Sequence, residues 1–516
     1  MPVTPAVSDA PRASTEGERS MVPIAAVSLF TFLVCYFRAF IFPDVPIMLW
    51  GDHLGFFYDG SRIVGGELPY RDYFQIVPPG TELTYALLIR CFGLSAWIPN
   101  LVMALLAAAL AWMITVIARR FMVGAVSLLP ALLFAGFILH GGLDPTHHWF
   151  STVGVMAALL VLLEGTSTYR VVVAGALCGL AACFTQTKGA AAVTAFIVYF
   201  VWQAGRDGAR ASAFWRQCLL LCVAAASIFF ALNAYFIRAA GVRQWLFCII
   251  VYPLRYYTAP PINNWRVVLR DFQWHGGPGR WISYPFVYAT VPLVYFIFLF
   301  TMRKQWKREQ GVAWDQLLLV TLTGLGMFLA IAAAPSLKRL SSVGAPAMVL
   351  LAWLLNRPGK AKASLRVVLG IAAIAFAVEV PVRAQMRWHD YLDLPAGRMA
   401  FIDPVLYEEY GWVLAHTHPG QFFFGMPPFY TAFELRNPAA VDGVDTTEYT
   451  RPEQVVALIQ ALETHPVPLI ILRGSKDFPQ AEDSPSDHSE PFRAYLLKNY
   501  RHVRSFPIGD EVWEKN

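Results

Sequence analysis

The stretch WGDHLGFFYDGSRIVGGELPYRDYFQIVPPGT, residues 50–81, decides how the rest of the chain is read. An apolar run of membrane length, 21–42, ends just before it. The stretch itself concentrates Asp52, His53, Asp59, Arg62, Arg71 and Asp72 ahead of a Pro78-Pro79-Gly80 turn. Loops carry function on rigid scaffolds, so a long charged loop directly after a membrane anchor reads as a site at the membrane surface. Asp52 and His53 should open a juxtamembrane helix that ends at Gly65-Gly66. Two readings of Asp52 stay open. It caps that helix, accepting backbone N–H bonds for about 1 kcal/mol, or it is a base that activates an acceptor hydroxyl beside the bilayer. Asp59 and Arg62, three apart, are expected to pair on the helix surface.

Around this loop the composition is that of a bilayer protein. Of 516 residues, 56% are hydrophobic and 15% charged, where a soluble chain carries about 25% charge; mean hydropathy is +0.47. A spanning helix needs roughly 20 apolar residues. Runs of that kind lie at 21–42, 98–118, 122–140, 148–164, 171–186, 189–204, 217–237, 283–302, 315–333, 341–355 and 366–382. The expected fold class is therefore an α-helical polytopic membrane protein of about eleven spans, followed by a smaller domain. The run 77–93 is too interrupted by Pro78, Pro79, Gly80, Glu82 and Arg90 and reads as an interfacial or re-entrant helix. Residues 1–20, rich in Ser, Thr, Pro and Ala, are expected to be disordered on the cytoplasmic side. The first apolar run lacks a small-residue cleavage site and reads as an uncleaved anchor.

Basic residues cluster in alternate loops: Arg119 and Arg120; Arg170; Arg206, Arg210 and Arg216; Arg303, Lys304, Lys307 and Arg308; Arg357, Lys360, Lys362 and Arg366. The positive-inside rule makes these cytoplasmic. The N-terminus then lies inside, while the first loop 43–97 and everything after the last span face outward. A cell (inner) membrane location follows. The outward loops are basic too, with Arg243, Arg255, Arg266 and Arg280, and orientation does not explain those charges. The seven cysteines show no CxxC spacing and read as packing residues.

After residue 382 the charge content becomes ordinary. A helix over 403–417 capped by Asp403, a strand at 421–425, a helix over 450–465, a strand at 467–474 and a helix over 491–500 predict a small α/β domain, 383–516, on the outer face. Gly474-Ser475-Lys476 is too short for a phosphate loop.

The run GELPYRDYFQIVPPGT, with an acidic residue soon after the first anchor, resembles membrane glycosyltransferases of the GT-C superfamily. Within it, the similarity is to the bacterial branch of protein mannosyltransferases and lipid A aminoarabinose transferases. Asp52 matches their essential acid, and Pro69-Tyr70 and Pro78-Pro79-Gly80 match their turns. The sharp motif covers about thirty residues, and His53 stands where relatives often carry a second acid. The resemblance extends to the loop HGGLDPTHHWFS (140–151), where Asp144 occupies the place of a second acid that positions the acceptor or a divalent ion. A transmembrane catalytic domain over 21–382 is thus implied, as is inversion at the sugar carbon.

The resemblance implies a polyprenyl-phosphate sugar as donor, a hexose or pentose, and a lipid, glycan or protein as acceptor. Asp52 and Asp144 are the candidate catalytic residues. Lys188, Arg280, Lys338 and Arg339 are the candidates to hold the donor phosphate, since a departing phosphate needs charge neutralisation and an intramembrane lysine is a functional candidate by default. His53, Arg71, Asp72, His147 and Arg255 complete the candidate binding set. The residues indicate no cofactor, and a divalent cation at Asp52 and Asp144 stays open. Membrane lipids are the expected surroundings, and nothing indicates a nucleic-acid partner. The alternative is a flippase, transporter or polymerase of lipid-linked glycans. Transporters normally show two related halves with broken helices, and no internal repeat is visible. A reporter active only outside the cytoplasm should be active when fused after Asn516 and silent after Lys307; the reverse pattern overturns the orientation.

Overall fold

Each apolar run forms a helix because only a helix satisfies its own backbone within a single segment in hydrocarbon. The computed structural model describes residues 20–142, 144–207, 211–273, 278–309, 311–472 and 485–516. The expected disordered N-terminus and Gly474-Ser475-Lys476 lie outside these residues. The chain begins with α1 (Val22–Ala39), the short hairpin β1 (Phe40–Ile41) and β2 (Val45–Pro46), α2 (His53–Val64) and α3 (Gly80–Phe92). The membrane part continues through α4 (Trp97–Ala118), α5 (Leu129–Leu133), α6 (His147–Leu163), α7 (Thr168–Phe184), α8 (Gln186–Asp207) and α9 (Ala211–Ala240). Three short helices follow, α10 (Val242–Leu246), α11 (Tyr252–Arg255) and α12 (Val267–Gln273). After them come α13 (Pro278–Gln305), α14 (Trp314–Ile331), α15 (Leu337–Ser342), α16 (Ala345–Leu355) and α17 (Lys360–Met386).

All eleven expected apolar runs are helical, and the protein is a multi-pass membrane protein. Among the described residues, six helices are long and apolar enough to cross a bilayer: α1, α4, the main parts of α9 and α13, α14 and α17. Gly124–Ile138, α6, α7 and α16 are shorter apolar helices. After α5 the chain passes into a π-turn, Phe134–Ile138, ahead of the loop that carries Asp144. The run 77–93 is the helix α3, which packs along α2.

Small residues let these helices approach closely, which is how packing is won where lipid and side chains are equally apolar. Gly175 and Gly179 lie one turn apart on the face of α7 that meets α9. A Cβ on Gly175 would sit 2.5 Å from the Leu221 carbonyl oxygen, and one on Gly179 2.3 Å from that of Ala225. The cysteines are unpaired; Cys91 and Cys222 are exposed and the other five buried.

The C-terminal part differs from the alternating α/β domain expected. Its sheet is antiparallel, in the order β5 (Leu469–Leu472), β7 (Glu511–Lys515), β6 (Tyr500–Ser505), with a separate hairpin of β3 (Asp390–Leu394) and β4 (Gly397–Phe401). Helices α18 (Pro404–His416), α19 (Pro427–Ala432), α20 (Pro452–Thr464) and α21 (Glu490–Asn499) surround it. Asp403 caps α18 as expected, accepting from Val405 N at 2.9 Å. The strand expected at 421–425 reduces to two single bridges, Phe422 with Arg436 and Phe424 with Ile470.

This domain is sewn to the first loop. Met48 N donates to Ala400 O at 2.8 Å, Phe74 N to Ala440 O at 2.8 Å, and Ala96 N to Ala396 O at 2.9 Å. Tyr58 of α2 stacks on Tyr430 at 4.4 Å and accepts from Asn437 N at 2.8 Å. Its ring is thus part of the C-terminal domain's own core.

Gly179→Leu should separate α7 from α9, at about 1–3 kcal/mol for overpacking, and lower the melting temperature of the purified protein. An unchanged melt would mean that the two helices do not meet at this glycine.

Candidate active site

Asp52 immediately precedes α2, but it does not cap it. A capping residue normally has an extended backbone; Asp52 is already helical (φ −61°, ψ −21°) and its side chain makes no capping bond. The carboxylate is instead exposed to a cavity while protein surrounds it. His53 beside it is buried, and neither ring nitrogen has a hydrogen-bond partner among the described residues. Burial, then the nearby Lys338 ammonium, lower its pKa to about 3 against the pull of Asp52, so its ring is neutral. Gly51 fills the gap between these groups. A Cβ there would lie 2.8 Å from His53 Nδ1 and 3.3 Å from Asp144 Oδ2.

The loop ahead of α6 and the short helix α15 bring further charged groups near Asp52. Asp144 is buried, and its Oδ2 accepts from Lys338 Nζ at 3.2 Å. Thr146 Oγ1 lies 3.3 Å from the other oxygen. Ser336 caps α15 by accepting from Arg339 N at 3.3 Å, and Asp271 Oδ2 accepts from Leu337 N and Tyr288 OH, each at 2.8 Å. Arg339 donates to Tyr257 OH and Asn263 Oδ1, each at 2.7 Å. Burial raises the pKa of Asp52, Asp144 raises it further, and Lys338, Arg339 and His53 oppose the rise. A raised carboxylate facing a cavity is a better base than an ordinary one.

The cavity, of about 490 Å³, lies between α2 and the C-terminal domain. Asp52, Phe56 and Asp59 line it at helical spacing along α2, with Gln75 from the first loop. Asp442, Asp445, Tyr449 and Gln454 line the other side. The sequence reading missed these last four, because Asp442-Gly443 and Asp445 look like ordinary turn residues.

Other expectations change. Asp59 and Arg62 are both buried and do not pair on a helix surface. Arg62 reaches Glu67 at 2.8 Å and Asp442 at 3.6 Å, while Asp59 Oδ2 accepts from Gln75 Nε2 at 3.2 Å. Arg71 and Asp72 pair with each other at 2.6 Å, and neither lines the cavity. Arg255 is exposed over the Tyr256 ring. His147 Nδ1 lies 2.9 Å from Thr185 Oγ1, and its ring packs on Phe56 and His148. The Arg280 side chain lies outside the described residues. A divalent cation at Asp52 and Asp144 does not fit this donor set. The Lys338 ammonium already holds an Asp144 oxygen, and among the described residues no three His, Cys, Asp or Glu side chains converge.

Lys188 is not a cation facing the site. It is fully buried, and its ammonium donates to His148 O at 2.8 Å, Thr152 Oγ1 at 3.1 Å and Ser342 Oγ at 2.7 Å. These three contacts tie α8 to α6 and to the end of α15. Lys188→Met should leave those acceptors dry, at about 1–3 kcal/mol, and lower the melting temperature of the purified protein. An unchanged melting temperature would remove Lys188 from the scaffold.

No family model and no curated relative matches the sequence. Among solved structures, the chain is similar to ArnT from Cupriavidus metallidurans bound to undecaprenyl phosphate, with a TM-score of 0.61 at 12% identity, over 96% of this chain and 97% of that one. The same protein in the apo state gives 0.54 at 13%, with the same coverage. The arabinofuranosyltransferase AftD from Mycobacteria is a weaker match, 0.49 at 14% identity, over 96% of this chain and 40% of that one. The fold is that of ArnT.

Proposed function

We propose that the chain is an integral-membrane glycosyltransferase. It moves a sugar from a polyprenyl-phosphate donor to an acceptor hydroxyl at the outer face of the membrane. The observation that carries this reading is the Asp52 carboxylate, open to a cavity beside Asp144, Lys338 and Arg339, in a fold shared with a protein solved with undecaprenyl phosphate bound. All eleven apolar helices cross the bilayer in this reading. The N-terminus is cytoplasmic, residues 21–382 form the catalytic domain, and 383–516 form the outer wall of the site.

In the reaction, the acceptor O–H gives its proton to the Asp52 carboxylate as its oxygen bonds to the anomeric carbon. The bond from that carbon to the phosphate oxygen breaks, and its electron pair leaves with the polyprenyl phosphate. Attack from the opposite face inverts the carbon. Lys338 and Arg339 neutralise the departing phosphate, as preorganised cations do wherever negative charge develops. Asp144 holds Lys338 in position for this. His53, neutral and buried, shapes the floor beside Gly51.

The reading is tested with the purified protein and a panel of polyprenyl-phosphate hexoses, pentoses and amino sugars, measuring released polyprenyl phosphate. Asp52→Asn should fold normally and lose roughly 10²–10⁴ in turnover. In the parent protein the rate should rise with pH as Asp52 loses its proton, with the acidic limb above the ordinary Asp value of about 3.9. Lys338→Ala should move that limb higher still, because the cation that favours the carboxylate is gone, and should weaken donor binding about ten- to hundredfold. Near-parental turnover in Asp52→Asn would reject the base assignment.

A further inference from the structure

The cavity has two ends of opposite character. At one end Asp52 stands beside Lys338 and Arg339. Seven residues further along α2, about 10 Å at 1.5 Å per residue, Asp59 forms the other end. Its side chain is 3% exposed. Oδ2 accepts from Gln75 Nε2, and Oδ1 has no hydrogen-bond partner among the described residues. A buried polar atom normally has a partner, so this one asks for a ligand.

The walls around it are mixed in a way that specifies the ligand. Asp442 accepts from Asn437 Nδ2 at 2.9 Å and faces the Arg62 guanidinium at 3.6 Å. Asp445 accepts from Thr447 N at 3.0 Å and Thr447 Oγ1 at 2.6 Å. Phe56, Phe74, Met426 and Pro427 supply flat apolar surface between these polar groups. Burial, reinforced by Asp442 and Glu82, holds the Asp59 carboxyl well above the usual carboxylate range. It is therefore a neutral acid with one O–H to give and one oxygen to receive, the same pair of roles a hydroxyl plays. An anionic ligand would meet Asp442 and Asp445 at this end, and the Asp442 carboxylate is already engaged by Arg62 and Asn437.

We propose that the Asp59 end of the cavity is a subsite for an uncharged, hydroxyl-rich sugar unit, held by Asp59 and Gln75 against the 441–445 loop. Calling it the acceptor subsite rests on the glycosyltransferase reading above and makes the acceptor a glycan. Donor phosphate and acceptor sugar then approach from opposite ends, and the acceptor hydroxyl that reacts is the one that reaches Asp52 at the donor end. A volume of about 490 Å³ is within the usual size of small-ligand sites, roughly 300–1,000 Å³.

The test needs no donor. The full chain in lipid nanodiscs is titrated with the methyl glycosides of glucose, mannose, galactose and arabinose, with glucosamine and with glucose 6-phosphate, read by saturation-transfer NMR. At least one neutral glycoside should bind, more tightly than both charged sugars. Asp59→Leu should weaken it about tenfold or more, and Asp59→Asn, which keeps a donor and an acceptor, about threefold or less. Gly443→Phe provides a second variant, at a cavity-lining position where an added Cβ meets nothing within 4 Å. It should block binding without changing the melting temperature. Binding of the charged sugars alone, of no sugar, or of glycosides equally well by folded Asp59→Leu and Gly443→Phe overturns the subsite. Glycoside binding without polyprenyl phosphate release would reject the transferase reading and keep the subsite; release without glycoside binding would do the opposite.

Discussion

A single buried lysine amine underlies the geometry of the site. Lys188 is fully buried, and its amine nitrogen is hydrogen-bonded to a backbone carbonyl and two hydroxyls drawn from α6 and α15. Burying a polar group is costly unless it is hydrogen-bonded, so the amine and its three partners are obliged to stay together. Ser342, one of those partners, in turn donates to the Arg339 carbonyl at 2.7 Å. The position of α15, and with it Lys338 and Arg339, is thereby set from inside the helix bundle. Asp144 pairs with Lys338, and Asp52 feels both.

The membrane part was legible because hydropathy is a strong signal over twenty residues. Each apolar run became a helix, and the amphipathic stretch after Asp52 became α2. The C-terminal sheet was less legible. Strands β6 and β7 carry Arg501, Arg504, Glu511, Glu514 and Lys515, and β6 shows solvent along most of its length, so their sequence reads as polar loop. The segment 421–425 is apolar because it is buried under both α2 and the sheet, which periodicity cannot tell from a strand.

In the site, sequence pointed to Asp52, His53, Asp144, Lys338 and Arg339, which the fold brings into electrostatic reach of one another. It erred where identity was read without burial. Lys188 looks like a free intramembrane charge, but helix packing gives it partners on α6 and α15; Asp59 with Arg62 looks like a surface pair at i, i+3, but the first loop and the C-terminal domain give each a different partner. The same packing explains why Asp442, Asp445, Tyr449 and Gln454 were invisible. They reach the cavity from nearly four hundred residues away along the chain, a distance over which no local pattern carries information.

The π-turn at Phe134–Ile138 has a bearing on lineage as well as shape. A π-turn holds one more residue than an α-turn, and each residue of an α-helix advances the chain by about 100°. Losing that residue would keep the helix, its hydropathy and its length almost unchanged, yet would swing the following loop around the axis and carry Asp144 away from Asp52. The register of Asp144 against Asp52 therefore depends on a one-residue irregularity that hydropathy does not record. Two chains of this fold can share every span and still differ in whether their two acids meet.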